Sequence, residues 1–364
     1  MRYAVIMAGG SGTRLWPMSR SALPKQLIPF IDGKSLLEIA YERFEGLVPI
    51  ECRYVCAGRR HREAVLAGLP SLGASRFLGE PVGRDTLNAV GLSAAVLAES
   101  DRDAVIGVFT ADHLIEPVGE FQRIIARGFE LVERSPDTLV TFGIEPTAPA
   151  TGYGYLELGA EIGGGARVVK QFREKPPREV AEEYVKQGPE RFLWNSGMFV
   201  WRAETLLDCI ERYEPSVRRG LATIAEAWSA AQRDDVLERV FPTLKKISVD
   251  FAVMEPASND PAVRVAALPM ALRWLDVGSW PSFAETRPKD EYGNALAGGK
   301  HVLDETADCL IASSDSEHLV AAIGCRGLVV IHTDRATLVC RADLAEKIKE
   351  VQKIVEDRFG GRYT

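Results

Sequence analysis

The sequence predicts an α/β protein: a mostly parallel sheet with helices on both faces, then a small β-rich module and a terminal helix. Three observations lead there. Apolar runs of strand length alternate with helically spaced segments from Tyr3 to Ile144, the pattern of strand–helix crossovers. The first run, Tyr3–Ala8, empties directly into a glycine cluster, and ligands in such sheets sit beyond the carboxyl ends of the strands. After about Arg287 the chain becomes glycine-rich and breaks into short β-like pieces, which argues a second module.

Taken in order, Tyr3–Ala8 reads as a buried parallel strand. Ser35–Leu47 has helical spacing, with Leu36, Leu37, Ala40, Phe44 and Leu47 on one side. Arg53–Ala57 is a strand, His61–Leu69 a short helix, Arg76–Gly79 a strand and Leu87–Glu99 an alanine-rich helix. Ala104–Thr110 is a buried strand, Glu120–Arg134 an amphipathic helix and Thr138–Ile144 a further strand. From Ala150 the rhythm changes. Tyr153–Tyr155 and Val168–Phe172 read as strands around Gly163-Gly164-Gly165, a hairpin laid over the site. Arg178–Gln187 is a helix, Phe192–Trp201 a strand, and Glu204–Val240 mostly helical; Ser248–Met254 and Val263–Leu268 carry weaker signals. The β-like pieces that follow are His301–Leu303, Cys309–Ile311, Leu319–Ile323, Leu328–Ile331 and Leu338–Cys340, spaced as a small β-solenoid without a clean repeat. Ala342–Arg358 closes as a charged amphipathic helix. The expected division is 1–286 and 287–364.

The stretch after the first strand is Gly9-Gly10-Ser11-Gly12-Thr13-Arg14-Leu15-Trp16-Pro17. Glycines there permit backbone conformations and close approaches that a Cβ forbids, and their amides can converge on an anion. Arg14 ends this nest, and Pro24-Lys25-Gln26 adds a second cation. A dinucleotide fingerprint from Gly10 fails because its third glycine would fall on Leu15. A P-loop ending in Gly33-Lys34-Ser35 fails because Ile28 stands where a glycine is needed. The formal net charge of −7 supplies no overall cationic field for nucleic acid. The six cysteines include no Cys-x-x-Cys pair and no His partner at zinc spacing, which favours free thiols in a reducing compartment. No apolar run is long enough for a signal-peptide core or a membrane span. The expected location is the cytoplasm.

The ordered set Gly9–Pro17, Ser19-Arg20 and Pro24-Lys25-Gln26 resembles the opening of the sugar-1-phosphate nucleotidylyltransferases. The Leu-Trp-Pro and Pro-Lys-Gln variants are most similar to the guanylyl branch that acts on mannose 1-phosphate. The resemblance implies a Rossmann-like, nucleotidyltransferase or GT-A-like catalytic fold and Mg²⁺ as cofactor. It implies GTP and mannose 1-phosphate as substrates, with no nucleic acid or membrane partner. It also implies a C-terminal left-handed β-helix through which subunits pair as a homodimer. The metal-binding region of an appended isomerase, which some members carry, has no His cluster here, so a single activity is expected.

The implied reaction is attack by a sugar-phosphate oxygen on the α-phosphorus of a nucleoside triphosphate, which needs alignment and charge neutralisation more than a protein nucleophile. Arg14, Lys25 and Asp112 are the catalytic candidates. Losing one preorganised group of the Arg14 or Lys25 kind typically costs ~10²–10³-fold in rate. Asp112 follows the buried strand Ala104–Thr110, where a carboxylate is well placed to bind Mg²⁺ together with substrate phosphate oxygens. The resemblance pairs Asp112 with Asp276, in Trp274-Leu275-Asp276-Val277-Gly278, as the metal ligands. His113 is expected to be structural, and Asp101-Arg102-Asp103 a solvated turn.

Ala8, Gly9, Gly10, Ser11, Gly12, Thr13 and Arg14 are the expected nucleotide cradle. Glu80, Arg84 and Asp85, after the third strand, are expected to face the base. A carboxylate can accept guanine N1–H and N2–H₂ together, with Glu80 the first candidate, Asp85 the second and a backbone carbonyl the third possibility. Arg84–Ala89 and Thr110 depart from the usual family text (Arg-Asn-Thr-Ala-Pro-Ala, and Pro before Ala-Asp-His), which bears on base selectivity and leaves the catalytic residues intact. Tyr153, Gly154, Glu174, Lys175 and Asn195 resemble the sugar-phosphate half-site. Two alternatives stand beside this reading. One is a nucleotidylyltransferase for another base or hexose. The other is a non-catalytic nucleotide-sugar-binding paralogue, against which Arg14, Lys25, Asp112 and Asp276 argue.

Overall fold

In the computed structural model, which describes residues 1–10, 12–21, 23–29, 31 and 33–364, the first apolar run forms β1 (Arg2–Met7). Ser35 starts α1 (Leu36–Glu42): its hydroxyl accepts from the Glu38 amide at 3.2 Å, and the Glu38 carboxylate accepts from the Ser35 amide at 2.7 Å. This reciprocal cap satisfies two amides that a helix start leaves open. β2 (Arg53–Gly58), α2 (Arg62–Gly68), β3 (Phe77–Glu80), α3 (Thr86–Ser100) and β4 (Val105–Thr110) follow. β1 pairs in parallel with β2 and β4, and β2 with β3. All four strands therefore end at the same edge.

The chain continues through β5 (His113–Glu116), α4 (Val118–Arg134), β6 (Thr138–Ile144), β7 (Tyr155–Gly163), β8 (Ala166–Arg173), α5 (Arg178–Gln187) and β9 (Phe192–Arg202). Three helices come next: α6 (Ala203–Tyr213), α7 (Pro215–Glu226) and α8 (Arg233–Val240). A π-helical turn, Asp250–Met254, leads into α9 (Glu255–Ser258), β10 (Arg264–Pro269), β11 (Arg273–Asp276) and α10 (Trp280–Ala284). The main sheet has nine strands in the order β3-β2-β1-β4-β9-β6-β10-β8-β7. β9 is its hinge piece, antiparallel to both β4 and β6 and paired at its start with β7 as well.

Packing explains the helices. α3 is buried along Leu87–Ala98, and a Cβ on its Gly91 would lie 2.5 Å from Leu221 of α7; only glycine lets the two helices approach so closely. α4 buries Phe121, Ile124, Ile125, Phe129 and Val132, the single apolar face its spacing predicted.

Two sequence expectations change in detail. The β7–β8 hairpin is an edge of the main sheet, and its glycine tip rests on α4, where a Cβ on Gly165 would overlap the Arg127 guanidinium. What faces the site is the open end of the hairpin. The terminal segment is a 3₁₀ turn, Ala342–Lys347, before the α-helix begins. β5 and β11 carry too few residues to show a period, and the sequence did not reveal them as a pair.

The C-terminal module contains β12 (Ala295–Ala297), β13 (Lys300–Asp304), β14 (Leu310–Ser313), β15 (Leu319–Ile323), β16 (Leu328–His332) and β17 (Thr337–Arg341), then α11 (Ile348–Phe359). β12, β14 and β16 stack in parallel register, as do β13 and β15; these are successive coils of a solenoid. The module has a small cluster of its own around Cys309, Ile311 and Ala322, and its other face is cored together with the catalytic part. Leu15, Trp16 and Met18 from the glycine stretch share one buried cluster with Trp280, Phe283, Leu310, Ala312, Val329, Ile331, Leu338 and Ile348.

Candidate active site

β1 delivers the glycine loop. The Ala8 amide is committed to the Cys56 carbonyl at 2.8 Å, and the Leu15 amide to Gly12 at 2.9 Å. Between them the amides of Gly10, Gly12 and Thr13 bond to no other described residue, which leaves them for an anion. Ser11 lies outside the described residues. Gly10 and Gly12 both have positive φ, 96° and 60°, where an L-side chain is strained. Gly12 is doubly constrained, because a Cβ there would lie 2.9 Å from Cβ of Lys25. Gln26 donates to the Gly9 carbonyl and Ser19 to the Gly12 carbonyl, fixing the loop from beneath.

Lys25 is buried, and its Nζ lies 2.7 Å from Asp112 Oδ2 while donating to the Val277 carbonyl at 3.2 Å. β5 and β11 form an antiparallel ladder that sets Asp276 opposite His113, and the Val277 amide donates to the Asp112 carbonyl at 3.0 Å. Ligand atoms of Asp112, His113 and Asp276 therefore lie within 4.8 Å of one another. Burial raises the Asp112 carboxyl, but the charge of Lys25 and its hydrogen bond lead the effects that outweigh it and hold the group below the usual carboxylate range. Burial pushes the His113 imidazole down. The Trp274 indole N–H donates to His113 Nδ1 at 3.1 Å, and Thr110 Oγ1 lies 2.5 Å from the same nitrogen, so Nδ1 is engaged by the protein. Nε2 lies 3.8 Å from Asp112 Oδ1. The two carboxylates are hard oxygen donors of the kind Mg²⁺ accepts alongside phosphate oxygens and water.

Arg14 closes this group from above. A Cβ on Gly278 would lie 3.4 Å from Arg14 Nη1 and 3.3 Å from Asp276 Oδ1, so the guanidinium and the carboxylate flank one glycine. The Arg14 Nε meets Glu346 Oε2 at 3.2 Å.

The sugar-side candidates converge because β7 pairs with β8 and β9 at once. The Asn195 amide donates to the Gly154 carbonyl at 2.8 Å, and a Cβ on Gly154 would lie 2.6 Å from Glu174 Oε2. Glu174 is buried and pairs with Lys175 at 2.8 Å; burial raises its carboxyl against the pull of that lysine. The Thr141 hydroxyl donates to Asn195 Oδ1 at 2.7 Å, which turns Asn195 Nδ2 toward Asp250 Oδ1, 2.9 Å away. Burial, reinforced by the Glu174 charge, raises Asp250 to about 7. Sequence reasoning missed Asp250, since an acid in a weakly patterned segment carries no local signal; its π-helical turn is the kind of irregularity that gathers at functional sites.

Tyr153 joins the halves. Its ring lies 5.1 Å from Trp194 and 5.4 Å from Trp274, centroid to centroid. Tyr153, Trp194, Trp274 and Asp276 line a cavity of ≈ 690 Å³. At the end of β3, Glu80 is buried, and burial with the neighbouring Asp85 charge pushes its carboxyl up to about 7. Asp85, at φ 67°, accepts from the Thr86 amide at 2.8 Å and caps α3, which engages one of its oxygens. Arg84 Nε is buried with no partner among the described residues. The register runs Met7–Cys56 across β1–β2 and Cys56–Leu78 across β2–β3, so Glu80 sits about 10 Å across the strands from the glycine loop at the usual strand spacing. The remaining sequence motifs are structural: Asp101 holds the amino terminus at 2.8 Å, Asp103 pairs with Arg202 at 2.6 Å, and Lys34 pairs with Glu42 at 2.6 Å.

Comparison with known proteins shows the family. Residues 3–293 match the nucleotidyl transferase family model, and residues 299–355 match a MannoseP isomerase/GMP-like beta-helix domain. A mannose-1-phosphate guanylyltransferase of Escherichia coli is 36% identical over 100% of this chain and 76% of its own length. The xanthan biosynthesis protein XanB of Xanthomonas campestris pv. campestris is 35% identical over 95% of this chain and 72% of its own. A solved Thermus thermophilus protein, described as a mannose-1-phosphate geranyltransferase, superposes with a TM-score of 0.86 at 33% identity, covering 98% of this chain and 99% of that one. The chain belongs to the nucleotidyl transferase family, and within it to the group of the mannose-1-phosphate guanylyltransferases.

Proposed function

We propose that this nucleotidyltransferase moves GMP from GTP to mannose 1-phosphate, forming GDP-mannose and pyrophosphate by in-line attack of the sugar phosphate on the α-phosphorus. The observation that carries the reading is the meeting of Lys25, Asp112 and Asp276 below Arg14 at the mouth of the glycine loop. The relative named for mannose-1-phosphate guanylyl transfer supports the choice of base and hexose.

The attacking phosphate is already ionised near neutral pH, so catalysis reduces to alignment and charge neutralisation. In this reading the glycine-loop amides and Thr13 hold the triphosphate. Arg14 and Lys25 offset the negative charge that shifts onto the leaving pyrophosphate, and Lys25 also keeps Asp112 ionised. Asp112 and Asp276 would hold Mg²⁺, which when bound draws charge from the phosphate oxygens. Glu80 accepts guanine N1–H and N2–H₂, with Arg84 beside it. Glu174 and Asn195 take sugar hydroxyls, Asp250 keeps Asn195 oriented, Gly154 gives the sugar room and Lys175 meets its phosphate. Tyr153 supplies a wall between the two substrates.

The same reading assigns catalysis to residues 1–286 and subunit pairing to residues 287–364. Val302, Leu319 and Ile323 are exposed on the outer face of β13 and β15, an apolar patch that a second copy of the chain would cover. The cytoplasm suits six free cysteines, four of them buried. No helix among the described residues is long and apolar enough to cross a membrane.

Four outcomes are expected. Pyrophosphate release measured for GTP, UTP, dTTP, ATP and CTP against mannose, glucose and N-acetylglucosamine 1-phosphates should be highest for GTP with mannose 1-phosphate; a clear preference for another pair overturns the assignment. Asp112→Asn and Asp276→Asn should each lower kcat ~10²-fold or more with an unchanged circular dichroism spectrum, and near-normal turnover in either would place the metal elsewhere. Because Glu80 must be ionised to accept two N–H groups and titrates at about 7, the KM for GTP should climb as pH falls below that value, by about tenfold per unit if Glu80 alone governs binding. Glu80→Gln should flatten this dependence, and a wild-type profile retained in that variant removes Glu80 from base recognition. Finally, sedimentation should report a dimer that Ile323→Asp converts to monomer; a monomeric wild type excludes the pairing.

A further inference from the structure

The C-terminal module does more than present an outer face. It touches the glycine stretch at three consecutive handholds. Glu346 Oε2 lies 3.2 Å from Arg14 Nε. The Tyr363 carbonyl accepts from the Trp16 indole at 2.6 Å, and Asp334 lies 3.6 Å from Arg20. Trp16 is also gripped from the catalytic side, its carbonyl accepting from the Trp280 indole at 3.0 Å. Of these handholds only the first reaches a side chain that faces the phosphates.

We infer that Glu346 is a positioning residue for Arg14, so that a side chain of the β-helix module sets the aim of the cation at the reaction centre. This role for Glu346 rests on the guanylyltransferase reading above. Arg14 sits in the 3₁₀ turn Thr13–Leu15, just after Gly12 at positive φ, and its side chain is half-exposed, at 48%. Among the described residues, nothing in that turn hydrogen-bonds to the guanidinium. The Glu346 carboxylate takes the Nε edge of the guanidinium, and Nη1 on the far edge lies over Gly278 beside Asp276. The planar fork is rigid, so anchoring one edge orients the other. The anchored edge is the one away from Asp276, so the pair can persist while Nη1 and Nη2 meet phosphate oxygens. Without Glu346, the carboxylate across Gly278 is free to draw Arg14 onto itself and out of line. The pair is too exposed, 48% and 74%, to matter much to folding, so its effect should appear in catalysis.

The test is a double-mutant cycle on the full-length protein, read as steady-state pyrophosphate release with GTP and mannose 1-phosphate. Glu346→Ala should lower kcat roughly fivefold, the upper range for an exposed ion pair. KM for mannose 1-phosphate and the thermal midpoint should not move. Glu346→Gln, which keeps the shape but removes the charge, should fall with the Ala variant, because Nε meets Oε2 as an ion pair. In an Arg14→Lys background, Glu346→Ala should have no further effect, since coupled residues are non-additive. Equal losses in both backgrounds, an unchanged kcat in Glu346→Ala, or a Gln variant as active as wild type would each overturn the inference. Wild-type protein without turnover on any substrate pair would overturn the guanylyltransferase reading and this inference together. An active wild type with an additive cycle would overturn the role of Glu346 alone.

Discussion

The short ladder between β5 and β11 is the constraint on which the site depends. Its strands are four residues each, and neither belongs to the nine-stranded sheet. Yet their register brings Asp276 across from His113 and the Val277 amide onto the Asp112 carbonyl. It also delivers the Val277 carbonyl to Lys25 and the Trp274 indole to His113. One backbone pairing thus determines where both acids stand, how the imidazole is oriented and where the buried ammonium points. A slip of one residue would turn every one of these side chains to the opposite face.

Around that ladder the two substrate halves are coupled through strands rather than loops. β9 bonds to β4, β6 and β7, so Asn195 is carried on the same sheet that ends in the glycine loop and Asp112. Tyr153, between Trp194 and Trp274, closes the remaining gap with aromatic packing, which is directional as well as apolar. Rigid elements hold reacting groups more closely than loops do, and in-line transfer between two phosphates is sensitive to such placement.

What was legible in the sequence had a local signature. The glycine loop followed an apolar run, Lys25 followed in a fixed order, and Asp112 stood directly after a buried strand; each could be read within a few residues. The strand–helix alternation gave the sheet because apolar periodicity is local too. The unread features depend on partners distant in sequence. Asp250 becomes notable only once Asn195 and Glu174 pack against it. The pairing of β5 with β11 has no period to detect, and the contact between Arg14 and Glu346 joins opposite ends of the chain. The hairpin was recognised as a hairpin, but which end faced the ligand depended on Arg127 of α4 receiving the glycine tip.

The shared cluster that joins Leu15, Trp16 and Met18 to Leu310, Val329, Ile331 and Ile348 has a consequence for biosynthesis. During translation Leu15, Trp16 and Met18 are made long before Leu310, Val329, Ile331 and Ile348, which complete the burial of that apolar flank. Until then they have only the partial cover of residues such as Leu36, Leu114 and Trp280. A nascent chain that has reached only the main sheet would leave the flank open to chaperones or to wrong contacts, so the base of the loop settles only once the β-helix module has been made.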